Sequence, residues 1–143
     1  MDYKAERREV ASFMRRLYRQ GLTTTSGGNI SRRITEDLIA ITPAATAKGR
    51  MKWKEVGLMS IFGENIIPEL RPSIESEMHL AVYKKNKEVT AIVHAHPLFA
   101  SAFTAMKCKI DTNLTAEACA ILGKPEFVPY ALMGTRELAE IVS

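Results

Sequence analysis

Two histidines separated by one residue, His94 and His96, close the apolar, β-prone run Val89–Val93 and are followed at once by Pro97. Side chains two apart on a strand point to the same face, so two imidazoles here can grip one divalent metal ion. Pro97 ends the strand, which puts the pair at an exposed strand end, where sites are commonly built. The chain has only three histidines, and two of them are here. The alternative reading is a pair of chance surface residues or hydrogen-bonded core residues.

Other residues with chemistry in them lie upstream. Glu75 follows Pro72-Ser73-Ile74 at the expected start of a helix, where backbone N–H groups and the helix dipole favour an anion. Ser73 could donate its hydroxyl to a phosphate oxygen. Glu75 could equally be a first-turn carboxylate placed there by the dipole alone. His79 lies one helical turn further on and could face the same way, although a structural or surface role suits it better. Two small-residue loops complete the set: Thr25-Ser26-Gly27-Gly28-Asn29 and Thr42-Pro43-Ala44-Ala45-Thr46-Ala47-Lys48-Gly49. Paired glycines let the backbone approach a ligand and offer N–H groups to an anion. Plain connecting loops would read the same way.

The elements that must position these residues follow from periodicity. Residues 3–20 carry Val10, Phe13, Met14, Leu17 and Tyr18 at helical spacing, with Gly21 as the stop. Short strands are expected near Ile30–Ile34, over Asp37–Thr42 and over Val56–Phe62, the last closed by a Gly63-Glu64-Asn65 turn. A helix capped by Ser73 runs through Met78, Leu80, Ala81 and Val82. The histidine strand follows, then a helix opened by Pro97 to about Met106, a short helix at Ala116–Leu122, a strand at Glu126–Val128, and a last helix capped by Thr135. That last helix, Arg136–Ser143, is about two turns long without a C-cap, so we expect a domain over 1–143 that lacks its C-terminal segment. The alternation indicates a single α/β domain, a three-layer α/β/α sandwich with a mixed, largely antiparallel central sheet.

Composition narrows the class. The 143 residues are one domain's worth, 46% hydrophobic and 25% charged, with a net charge of +4. The charges alternate in sign except at Arg7-Arg8 and Arg15-Arg16, which read as the solvated face of a helix rather than a nucleic-acid stripe. A mildly basic balance suits an anionic small molecule. Cys108 and Cys119 form no disulfide framework and are expected as small buried residues of a reducing compartment. No signal peptide or membrane-spanning run is visible, so a cytoplasmic protein with no membrane partner is expected.

In order, Ser-Gly-Gly-Asn-Ile-Ser at 26–31, Ile-Thr-Pro at 41–43, Arg-Pro-Ser-Ile-Glu at 71–75 with His79 four residues on, and Ile-Val-His-Ala-His at 92–96 resemble the class II aldolase/adducin family. The likeness runs from the first helix to the end of the chain. It implies that His94 and His96 are two of three zinc ligands, with the third histidine beyond Thr135 and absent from this sequence. It implies that Glu75 is the catalytic acid/base, able to approach the metal as a ligand when no substrate is bound. Gly28, Asn29 and Ser73 would hold a substrate phosphate, and the loop Thr42–Ala45 would complete that pocket through backbone N–H groups, with Ile74 beside Ser73. Zinc would serve as a Lewis acid on a sugar phosphate, with Glu75 exchanging a proton at the reacting carbon. The implied reaction is reversible cleavage of a small ketose 1-phosphate, such as fuculose 1-phosphate, into dihydroxyacetone phosphate and an aldehyde, by a homotetramer. A dehydratase or epimerase of the same family, or an adducin-type binding module, are the alternatives. Glu75 favours aldolase or dehydratase chemistry, because the epimerases carry Asp there. This chain departs from the family at Ala44-Ala45, where Thr-Gly or Ser-Gly is usual, and at Ile74, where a second Ser is frequent.

Overall fold

The computed structural model describes residues 2–143. Helix α1 (Lys4–Arg19) leads into strands β1 (Asn29–Arg33), β2 (Leu38–Ile41) and β3 (Gly57–Ser60), then helix α2 (Ser76–Lys85) and strand β4 (Ala91–His94). Helices α3 (Leu98–Ala105), α4 (Ala116–Leu122) and α5 (Arg136–Val142) complete the chain. The strands form one four-stranded sheet in the order β3-β2-β1-β4. All three pairings are antiparallel, so the mixed sheet expected above is not formed. The connection through α2 carries the chain across the sheet and returns β4 antiparallel to β1. The expected strand at Glu126–Val128 is irregular; Phe127 and Val128 are half-exposed and have no ladder partner there.

Alternation along β2 sorts the core into two clusters. Ala40 joins Val10, Ala11 and Met14 of α1, with Ile30, Met51, Val56 and Leu58. Ile39 and Ile41 point the other way, onto Leu80 and Tyr83 of α2 and Met59. One helix therefore covers each group of side chains, as period-2 patterning requires.

Three sequence expectations need correction. Arg7 is buried, not solvated: its Nε donates to the Val56 carbonyl at 2.9 Å and its Nη2 to that of Lys54 at 3.0 Å, satisfying backbone acceptors under α1. Cys108 and Cys119 are exposed; Cys108 lies just past α3 and Cys119 within α4, two helices that bury no side chain. Ser73 is not the cap of α2. Its hydroxyl accepts from the Glu75 N–H at 3.3 Å while Ser76 Oγ donates to the Ser73 carbonyl at 2.6 Å. That turn delays the helix and places Glu75 at its N-cap. By contrast Thr135 caps α5 as expected, accepting from the Leu138 N–H. No helix among the described residues is long and apolar enough to cross a membrane.

Candidate active site

The site is assembled by the pairing of β1 with β4, in which Asn29 stands opposite His94. His94 is the last residue of β4, and His96 is fixed beyond it by its backbone N–H, which donates to the Leu22 carbonyl at 2.8 Å. The Gly27-Gly28 pair permits this approach. A Cβ on Gly27 would lie 3.0 Å from His96 Nδ1, and one on Gly28, at φ +67°, would lie 2.8 Å from the His94 carbonyl oxygen. The glycines thus make room for the histidine segment and for the hydroxyls of Thr23 and Thr24, each 2.6 Å from such a Cβ, a use that their sequence did not reveal.

The two imidazoles converge. His94 Nε2 and His96 Nε2 are 3.2 Å apart, with the rings edge to face. A zinc ion held at its usual distance from two imidazole nitrogens, near a tetrahedral angle, separates them by about 3.3 Å, so the pair fits such an ion. Glu75 comes from the other side. Its Oε2 lies 2.7 Å from His94 Nδ1. The approach is off the line of the ring N–H, so Nδ1 is buried without an aligned hydrogen bond. A carboxylate behind a histidine in this way favours the tautomer whose Nε2 lone pair faces outward, toward a metal. In this arrangement Glu75 is not a third ligand, because it meets the nitrogen opposite the one that faces His96. Nor is His79: it is wholly buried, with both ring nitrogens bonded to protein groups. No cluster of three metal-binding side chains forms among the described residues.

Glu75 is nearly buried and accepts from Asn29 Nδ2 at 2.6 Å. The His94 imidazole holds its carboxyl below the ordinary range, the Asn29 amide adds to that, and burial works against both. It is therefore ionised at neutral pH and able to take a proton. Burial also depresses His79, with His94 adding and Glu75 opposing, to about 4, so this imidazole is neutral.

A cavity of about 270 Å³ opens beside Glu75, lined by Gly28, Asn29, Ala44, Ala45, Ser73 and Ile74. Six residues expected to bind substrate therefore line one cavity. Thr42 is not among them: it is fully buried, its N–H donates to Ile30 and its hydroxyl accepts from the Ile30 N–H. The Ala44 N–H is committed to the Arg71 carbonyl at 3.0 Å. Two cations to which the sequence pattern assigned no role, Lys48 in the second small-residue loop and Arg71 in the Arg-Pro-Ser-Ile-Glu segment, line the same cavity. Lys48 is buried, which pushes its ammonium below the usual lysine range, and its Nζ donates to the Pro43 carbonyl at 2.9 Å. One such bond leaves two of an ammonium's donors for an anion. Lys48 lies five residues beyond Pro43, in a turn anchored by its own N–H on the Thr25 carbonyl, so spacing along the chain gave no sign of it. A second, larger and more apolar cavity of about 710 Å³ adjoins the first, sharing Glu75, His96 and Met133.

Comparison with known proteins places these features in context. Residues 8–143 match the family model described as the class II aldolase and adducin N-terminal domain. The chain is 30% identical over 144 residues to a 3-oxo-tetronate 4-phosphate decarboxylase of Haemophilus influenzae, covering 97% of this chain and 68% of that protein. It is 35% identical over 127 residues to an L-fuculose phosphate aldolase of Methanococcus vannielii, covering 89% and 68%. Its fold superimposes on a solved L-fuculose 1-phosphate aldolase with a TM-score of 0.82 at 31% identity, covering 95% of this chain and 64% of the other. The chain thus spans about two thirds of the length of these proteins.

Two outcomes are expected from this geometry. Ala45 occupies φ +51°, a left-handed conformation that suits glycine and strains an L residue. Ala45→Gly should therefore raise stability by about 1 kcal/mol, read as the urea midpoint. His79 protonates near 6.5 when unfolded and near 4 when folded. The unfolded chain binds the extra proton between those values, so His79's contribution is complete above about pH 6.5 and is lost as pH falls toward 4. The loss should be about 3 kcal/mol, measured as the wild-type change in unfolding free energy over that window minus the change in His79→Gln.

Proposed function

This chain belongs to the class II aldolase/adducin family, the family of the metal-dependent aldolases, and from that premise we propose that it carries the metal and phosphate half of a zinc-dependent lyase acting on a small sugar phosphate. The observation that carries this reading is the meeting, around one carboxylate, of a converging imidazole pair and an anion-suited cavity: Glu75 touches His94 and lines both cavities.

The preferred reaction is reversible cleavage of a ketose 1-phosphate such as fuculose 1-phosphate to dihydroxyacetone phosphate and an aldehyde. The phosphate occupies the smaller cavity against Ser73 and the cationic Lys48 and Arg71. That anchor sets the reacting carbons beside His94 and His96, with the aldehyde half toward Val93, Tyr130 and Leu132. His94 and His96 hold the metal, which when bound supplies a Lewis acid for the charge that develops on the ketone oxygen as the carbon–carbon bond breaks. In cleavage the hydroxyl on the aldehyde-forming carbon gives up its proton as the carbon–carbon bond breaks, the ionised Glu75 takes up one proton, and Glu75 returns it to the carbon that loses the aldehyde, so that no net proton is consumed; synthesis runs the same transfer in reverse. Asn29 holds the carboxylate in place for that exchange.

Decarboxylation is the second reading, favoured by the relative from Haemophilus influenzae. It shares the phosphate anchor, the charge on the ketone oxygen and the protonation at carbon, and differs in the group that leaves. We assign the metal as zinc because the converging donors are imidazole nitrogens. We assign the third ligand to a histidine outside these 143 residues, since His79 is committed elsewhere. We read the helices on the two faces of the sheet as the outer layers of a three-layer domain. A homotetramer is consistent with the exposed Phe99, Leu114 and Tyr130.

In the full-length protein, Glu75→Gln should lower turnover of fuculose 1-phosphate about 10²- to 10⁴-fold while zinc content by elemental analysis is unchanged. His94→Ala should lose zinc and activity together. Full activity in the first variant would remove Glu75 from the mechanism, and unchanged zinc in the second would remove the metal site. Carbon dioxide release from 3-oxo-tetronate 4-phosphate, with no cleavage of fuculose 1-phosphate, would select the second reading.

A further inference from the structure

The mechanism above makes no use of His79, yet this side chain sits in a continuous buried array of polar groups. Glu75, His79 and Tyr83 follow one another at intervals of four on α2, and Asn29 and Ser31 at an interval of two on β1. Four helical residues rise about 6.0 Å and two strand residues about 6.6 Å, so the two rows interdigitate. Tyr83 Oη is 2.8 Å from Ser31 Oγ, Ser31 Oγ is 2.6 Å from His79 Nδ1, His79 Nε2 is 2.5 Å from Asn29 Oδ1, and Asn29 Nδ2 is 2.6 Å from Glu75 Oε2. All five side chains are buried.

The directions of these bonds are linked. An ionised Glu75 can only accept, so Asn29 must present its NH₂ and keep its oxygen toward His79. That oxygen can only accept, so His79 carries its proton on Nε2. Nδ1 then accepts from Ser31, and the serine oxygen accepts from Tyr83. The reverse amide orientation would set the Asn29 oxygen against the carboxylate, two acceptors at hydrogen-bond distance.

We propose that His79 is a positioning residue that acts on Glu75 through Asn29: as the Nε2–H tautomer it locks the Asn29 amide with its NH₂ on the carboxylate. The proposal rests on the reading of Glu75 as the acid/base. It gives Asn29 a task beyond lining the phosphate cavity, and it explains why a neutral imidazole is kept in the core where an apolar residue would pack as well.

The first test is the two-bond nitrogen–proton correlation spectrum of the imidazoles in full-length, zinc-loaded protein. Only three histidines contribute from these residues, and His79→Leu identifies the signals of His79. The expected result is Nε2 protonated and Nδ1 bare. An Nδ1–H tautomer overturns the proposal.

The second test compares variants. His79→Leu should lower kcat on the order of 10- to 100-fold, with zinc content and inorganic phosphate affinity retained. His79→Gln should recover most of the loss, because its side-chain amide returns an N–H to Asn29. Equal impairment of both variants, or no loss in either, overturns the proposal. Failure of the aldolase reading appears instead as an inactive wild type, and the imidazole spectrum still decides the role of His79 in that case.

Discussion

The register of β1 against β4 is the constraint on which the site depends. With Asn29 opposite His94, one strand supplies the amide that holds Glu75 and the other supplies the imidazole that Glu75 supports. A slip of one residue would turn Asn29 and Ser31 away from α2 and place Ile30 against His79. The register is specified on the other face as well, where Ile30 belongs to the cluster under α1. The same alternation therefore builds an apolar core on one side of β1 and a buried polar row on the other.

That polar row is costly unless it is complete. Buried amide, imidazole and hydroxyl groups each need a partner, and a single missing bond leaves the next group unsatisfied. Here the chain of bonds runs without a gap from Tyr83 to Glu75. The misaligned contact at His94 Nδ1 lies where the row meets the imidazole pair, at the edge of the cavities. Polar groups that are fully matched in the interior thus fix the position of the one carboxylate whose surroundings stay open for chemistry.

The anion cavity follows a different logic. Its family-like features are reduced at Ala44, Ala45 and Ile74, and the strain at Ala45 shows that the backbone keeps a conformation better suited to glycine. In the proposed reading, charge takes the place of the hydroxyls that the resemblance would supply there. Lys48 and Arg71 face the cavity, and Lys48 is held by the carbonyl of Pro43 in the same loop. An ammonium buried in this way is desolvated, which strengthens its attraction for an incoming anion relative to a lysine in water.

The sequence alone determined the helices, the short strands, the paired histidines and the loops that carry Asn29, Ser73 and Glu75. Those are local properties: hydrophobic period, glycine and proline punctuation, and side-chain chemistry at fixed spacing. Its errors were of the opposite kind. The burial of Arg7 depends on the carbonyls of Val56 and Lys54, the exposure of the cysteines on what α3 and α4 fail to meet, and the loss of a strand at Glu126–Val128 on the want of a partner. The work of Gly27 and Gly28, the arrival of Lys48 in the cavity and the closing of His79 onto Asn29 were likewise decided only in three dimensions. Each joins residues far apart in the chain, and no spacing along one strand or helix encodes which side chain will stand across from another.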